Sequence, residues 1–173
     1  METQTQSPQL SGARIIAALK QARVEYILSV PDLHTSQGLL RPIASDSELK
    51  LIRVCKEDEC FGIAAGLSYA NKRAAILIQY TGFLYAMNAL RGVGCEQRHP
   101  VVMMVGLLGK EPGVAPTKSN RFGVKIIEPI LDTMGVPHGL LESDDDIGQI
   151  GPAFDTAYSQ SAPHALLIGR RPV

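Results

Sequence analysis

Residues 50–93 read KLIRVCKEDECFGIAAGLSYANKRAAILIQYTGFLYAMNALRGV. Two apolar runs of strand length, KLIRV at 50–54 and AAILIQ at 74–79, bracket a segment of helical length over 57–70, and further helical character follows over 82–93. The second run is continuously apolar rather than alternating, which is what a strand covered by helices on both faces requires. Strands joined through intervening helices belong to a parallel sheet.

The same alternation continues in both directions. YILSV at 26–30, VVMMVG at 101–106 and HALLIG at 164–169 are further strands, with a weaker one starting at Val136. Helical character recurs over 35–42, 122–134 and 144–161. Ser11 caps a first helix carrying Ile15, Ile16, Ala18 and Leu19 at helical spacing and ending near Ala22 or Arg23. Gly135, with Pro137 two residues on, is a stop signal for the 122–134 helix. The pattern predicts a three-layer α/β/α domain with a mostly parallel sheet over 11–173, preceded by a flexible polar segment over 1–10. GLLGKEPGVAPTKSNR at 106–121 reads as a mobile loop after a strand end, where open α/β sheets place their ligand sites.

A chain of 173 residues is long enough for one cored domain and short for two. Its 17 basic and 17 acidic residues cancel, so no long-range field attracts nucleic acid or anionic lipid. No apolar run approaches the roughly 20 residues that span a bilayer, and METQTQSPQLSG lacks the features of a signal peptide. A cytoplasmic protein is expected. Cys55, Cys60 and Cys95 show no CxxC spacing and read as buried free thiols. The four histidines are scattered, and no metal ligand is assigned to the chain. GVGCEQ at 92–97 lacks the third glycine of a dinucleotide loop, and GK[ST], GxSxG and HExxH are missing.

The helix over 57–70 opens on Glu57 and is built mostly of small residues. Gly62, Gly66 and Ala70 lie four apart and share one face, with Phe61, Ala65 and Ser68 on another. Each glycine inside a helix costs about 1 kcal/mol relative to alanine. Two compensations are open: close approach of another backbone, or tight packing on the domain's own sheet, with Glu57 merely favouring a helix N-terminus.

EDECFGIAAGLSYANK at 57–72, followed by IQYTGFLYAMNAL at 78–90, resembles the pyrimidine-binding domain of thiamine diphosphate (ThDP)-dependent decarboxylases. The likeness is to the sulfopyruvate and phosphonopyruvate decarboxylase family, and to its alpha subunits in particular. YILSVPD at 26–32 resembles the family's first strand and Val-Pro loop, VGLLGKEPG at 105–113 its glycine-rich loop, and KIIEPILDTMGVPHGLLE at 125–142 the helix and strand that close this half. The order and spacing of these segments cover nearly the whole chain from about residue 12.

The resemblance implies that Glu57 hydrogen-bonds the pyrimidine N1′ of ThDP, favouring the imino form that deprotonates the thiazolium C2, for which a largely dry site is needed. Pro31, Gln79, Thr81, Gly82 and Asn88 are implied cofactor-side residues, with Gln79 either near the pyrimidine or substrate or a strand-end residue that organises the turn. Asp32 either relays a proton during product release or is a plain turn former. Asp58 and Glu59 are weaker candidates, supporting or solvated. His34 is either near the substrate or a satisfied or exposed loop residue. Lys110, Lys118, Asn120 and Arg121 either meet an anionic substrate group or are solvated. Tyr80, Leu84 and Tyr85 stand where the family carries small or amide residues, which turns the expectation toward a more apolar or aromatic 2-oxo acid.

The GDG motif of the family's diphosphate-binding half occurs nowhere in the chain. The resemblance therefore places magnesium and the diphosphate on a separate beta subunit, with the chain alone inactive and homo-oligomeric. Two other readings stand beside this one: a regulatory or vestigial homo-oligomeric α/β protein, and a flavodoxin-like small-ligand binder using the loop after VVMMVG.

Overall fold

A computed structural model describes residues 9–173. Six strands, β1 (Val24–Ser29), β2 (Lys50–Arg53), β3 (Arg73–Gln79), β4 (Val102–Gly106), β5 (His138–Leu141) and β6 (His164–Ile168), form one sheet in the order β2-β1-β3-β4-β6-β5. Every pairing is parallel. The strand from Val136 thus begins two residues later than expected, and the expected sheet is present without an antiparallel member.

Helices cover both faces, and the apolar strands explain why. Along β3, Ala75 and Leu77 enter one core with Ile15 and Leu19 of α1 (Gly12–Gln21), Ile43 of α2 (Arg41–Ala44) and Phe154 of α8 (Ile150–Gln160). Ala74, Ile76 and Ile78 enter the other with Phe61 of α3 (Glu57–Tyr69), Phe83 of α4 (Tyr80–Tyr85) and Leu131 of α7 (Ile127–Thr133). A strand buried on both sides cannot alternate apolar with polar.

The cap signals work as read. Ser11 Oγ accepts from Arg14 N at 3.4 Å, and α1 ends with Ala22 as its C-cap. Gly135 has φ +66°, and Val136 N bonds back to Leu131 O at 2.9 Å, closing α7. The longer expected helices are segmented. Over 82–93 the chain forms α4, a single turn α5 (Met87–Ala89) and a π-helical turn Leu90–Glu96. Residues 122–134 split at Ile126 into α6 (Phe122–Lys125) and α7, because Pro129 has no amide to bond back to Lys125.

Three expectations are corrected. Leu10 is fully buried and its carbonyl accepts from Val173 N, while Gln9 O accepts from Asp144 N, so residues 9 and 10, expected to be flexible, are held in the fold; the rest of that expected segment, residues 1–8, lies outside those described. Cys60 alone of the three cysteines is buried; Cys55 is exposed and Cys95 half-buried. The loop over 106–121 is tied down rather than mobile: Glu111 accepts from Ser119 Oγ at 2.7 Å and from Asn120 N at 3.1 Å.

Candidate functional site

The strand order creates a switch point. From β1 the chain steps outward to β2, then returns across β1 to β3 and proceeds the other way. Crossovers at such a point diverge and leave a crevice beyond the C-terminal ends of the strands. The segments expected to carry the site, 30–32 after β1 and 79–82 after β3, both lie at this edge, and the turn after β2 delivers Glu57.

Glu57 is the first residue of α3, with Lys56 in extended geometry before it. Asp58 and Glu59 complete an acidic first turn, which suits the positive end of the helix. Glu59 Oε2 accepts from Cys55 N at 3.0 Å at the surface. Asp58 is half-buried, and its Oδ1 is buried without a hydrogen-bond partner among the described residues. Glu57 is half-buried, and among the described residues nothing donates a hydrogen bond to its carboxylate.

The Glu57 side chain lies on Gly82. A Cβ at position 82 would stand 2.5 Å from Glu57 Oε1 and 2.6 Å from Cδ, closer than any side chain tolerates. Gly82 is buried in the first turn of α4, and α3 packs on α4 beneath it. Gln79, half-buried at the end of β3, donates Nε2 to Thr81 Oγ1 at 3.2 Å. The carboxylate of Glu57 and the Gln79–Thr81–Gly82 turn thus form one ledge of polar groups, with the Glu57 side chain filling the space that a Cβ on Gly82 would take.

The remaining candidates separate. Asp32 forms the turn: Oδ1 accepts from His34 N at 2.6 Å and Thr35 N at 2.8 Å, and Oδ2 from Thr35 Oγ1 at 2.6 Å. Both of its oxygens are therefore occupied in seating the π-helical turn Ser36–Leu40 that leads into α2. Pro31 is exposed and lines a cleft of about 510 Å³ with Ser29, Ser36, Arg41 and Arg53. Asn88 is exposed, and its Oδ1 accepts from Arg91 Nε and Nη2 at 3.2 and 3.0 Å; no hydrogen bond joins it to Glu57 or Gln79 among the described residues.

His34 is the satisfied loop histidine: it is buried, with Nε2 3.0 Å from Ile168 O. A carbonyl only accepts, so Nε2 carries the proton, and burial holds the imidazole below its ordinary pKa. Lys110 is neither solvated nor free for a substrate. Its side chain is 0% exposed and paired with Glu142, and Nζ also donates to Glu111 O at 3.1 Å. Lys118, Asn120 and Arg121 are exposed.

The aromatic departures in the 78–90 turn take different places. Tyr80 packs over Gly123, where a Cβ would stand 3.0 Å from its Cδ2. Leu84 is half-buried and Tyr85 is exposed. The small-residue face of α3 is open: Gly62 and Gly66 are exposed, with no atom within 4 Å of where a Cβ would lie. Phe61 and Ala65 are the side that meets the sheet. Packing on the domain's own sheet is thus not what these two glycines serve.

What the sequence reading missed is the partner of Lys110. Glu142 lies 32 residues away, and Gly169 gives it room, since a Cβ there would stand 3.0 Å from Glu142 Cγ. An acid just past a strand end was the available signal.

Residues 11–111 match the family model described as thiamine pyrophosphate enzyme, N-terminal TPP binding domain. The chain is similar to the sulfopyruvate decarboxylase subunit alpha of Methanocaldococcus jannaschii, 32% identical over 89% of this chain and 90% of that one. It is also similar to the protein of that name from Methanothermobacter thermautotrophicus, 31% identical over 81% of this chain and 86% of the relative. The segment that carries Glu57, Gln79 and Gly82 lies wholly inside the matched region, and the chain belongs to the thiamine pyrophosphate enzymes, in the family of their N-terminal TPP binding domain.

Proposed function

We propose that this chain is the pyrimidine-binding, cofactor-activating subunit of a heteromeric thiamine diphosphate-dependent 2-oxo acid decarboxylase, with Glu57 as the activating acid. The observation that carries the reading is the ledge formed by Glu57 and Gly82 at the switch point: a carboxylate with no hydrogen-bond donor among the described residues, above a backbone stripped of its Cβ. A ring edge that carries an N–H fits such a ledge, because the missing Cβ lets the Glu57 side chain settle on the Gly82 backbone and its carboxylate offers the acceptor.

When bound, thiamine diphosphate supplies the carbanion chemistry and holds the electrons after carbon dioxide leaves. The chain's own part is binding and orientation. Glu57 accepts a hydrogen bond from the protonated ring nitrogen, and exclusion of water strengthens that bond. Gln79 and Thr81, already joined to each other, present polar groups beside it. Asp32 and Pro31 hold the β1 loop at the neighbouring strand end, and Asp32 acts there by fixing the turn. Asn88 is a weaker participant, since Arg91 occupies its amide oxygen.

The chain carries no GDG motif, so a diphosphate-binding beta subunit holds the diphosphate and magnesium in this reading. The open Gly62, Gly66 and Ala70 face, flanked by Tyr69 at 79% exposure, is where that partner's backbone approaches. Without the partner, the same face favours homo-oligomers. No described helix is long and apolar enough to cross a membrane, and a cytoplasmic enzyme acting on a small 2-oxo acid completes the proposal.

The test is calorimetry of thiamine diphosphate and magnesium binding, with the chain alone and then with the partner it captures from its own cells. Cofactor binding and carbon dioxide release in the captured complex alone supports the split enzyme. A chain that captures no diphosphate-binding partner points to the regulatory or vestigial reading.

A further inference from the structure

The C-terminal edge of the sheet holds another cleft, beginning one strand beyond Gln79. Gly106 pairs with Gln79 on one side and with Ile168 on the other. Beyond these strand ends a cleft of about 310 Å³ opens, lined by His34, the 108–110 turn, Pro112 and the 169–171 segment. Its floor is rigid. The His34 ring packs on Gly106, where a Cβ would stand 3.0 Å from Cδ2, and Nε2–H donates to the Ile168 carbonyl. Leu107 N donates to the same carbonyl at 2.9 Å.

The charges around the cleft do not balance. Glu142 is engaged by Lys110, and Glu111 by Ser119 Oγ and Asn120 N. Those two acids are committed, whereas Arg170 and Arg171 form no ion pair among the described residues. Arg170 Nε is buried and lacks a hydrogen-bond partner among the described residues, a costly state for a cationic donor. Arg171 lines the same cleft. Arg121 rims the opening, its Nε 2.9 Å from where a Cβ on Gly109 would lie.

We propose that this cleft is an oxyanion-binding site, which takes the acid group of a small organic anion against the Arg170 and Arg171 guanidiniums. A guanidinium presents planar paired donors that match the oxygens of carboxylates, sulfonates and phosphonates, and charge-assisted bonds of this kind are the strong ones. The terminal guanidinium nitrogens of Arg170 and Arg171, which no acid among the described residues engages, are the donors the site uses. Lys110 stays with Glu142 and keeps the 107–112 turn in place, so it shapes the cleft without contacting the ligand.

The site is assayed on the full chain with no cofactor or partner, so its failure is distinct from failure of the decarboxylase reading. Acetate, methanesulfonate and methylphosphonate are titrated against ¹⁵N-labelled protein at ionic strength held constant with chloride. The expected result is a saturable shift of the Arg170 and Arg171 Nε–H and the Gly109 and Gly169 amide signals, with Gly62 and Gly66 unmoved. The order of affinity among the three anions identifies the acid group. Arg171→Gln, at an exposed position, and Arg170→Lys, which keeps the charge but loses the fork, each weaken binding by about tenfold. Shifts that never saturate, that chloride reproduces, or that both variants retain at unchanged affinity overturn the proposal.

Discussion

Glu57 and Gly82, twenty-five positions apart in sequence, are in direct contact: a Cβ on Gly82 would lie 2.5 Å from the Glu57 carboxylate oxygen Oε1. The glycine in the first turn of α4 is thus a spatial requirement of the acid in the first turn of α3.

Gly82→Ala therefore acts through Glu57. The added methyl forces the carboxylate aside, and displacement of a catalytic group by about 1 Å can cost on the order of 10²-fold in rate. We expect a loss of that order in carbon dioxide release by the reconstituted complex. Combining Gly82→Ala with Glu57→Gln should add little further, because both remove the same interaction. Full additivity in the double-mutant cycle would show that the contact is incidental.

The open face of α3 separates folding from assembly. Nothing lies within 4 Å of a Cβ at Gly66, so Gly66→Ala should stabilise the isolated chain by up to about 1 kcal/mol. Gly62→Leu should leave the chain folded but abolish capture of the partner in co-purification. A Gly62→Leu chain that assembles normally would move the interface elsewhere.

Most of the fold was legible because β3, β4 and β6 are buried on both faces and so carry unbroken apolar runs, while Ser11 and Gly135 mark helix ends by local chemistry. The family reading from EDECFGIAAGLSYANK was legible too, and is borne out by the matched domain and relatives. The segmentation at Ile126 follows from Pro129, a signal present in the sequence and left unused. What sequence could not reveal were contacts across the fold. Lys110 sits in a Gly/Pro-rich loop and looks solvated; only the β5 end, 32 residues on, supplies the Glu142 that buries it. Asp32 reads equally as a proton relay or a turn former until its three short local hydrogen bonds are seen.

That buried pair should be measurable. Glu142→Gln leaves the Lys110 charge without its partner, which typically costs about 3–5 kcal/mol for a fully buried pair. Glu142 is 25% exposed, so a loss of roughly 3 kcal/mol is expected in urea denaturation. An unchanged midpoint would mean that Lys110 reaches water.

His34 gives stability a pH dependence of known sign. Burial lowers its folded-state pKa below the ordinary 6.5, so the unfolded chain takes up the proton first and stability falls as pH drops below about 6.5. His164, also lowered by burial, contributes in the same direction. The melting temperature should decline between about pH 7 and 5, and His34→Gln should flatten that decline. An identical slope in the variant would assign the effect elsewhere.

The most direct test is hydrogen–deuterium exchange at C2 of thiamine diphosphate in the complex reconstituted with Glu57→Gln. General acid–base assistance is worth about 10² to 10⁴-fold, so exchange should slow by at least about 10²-fold while the cofactor remains bound. Exchange at the wild-type rate would contradict the assignment of Glu57 as the activating acid.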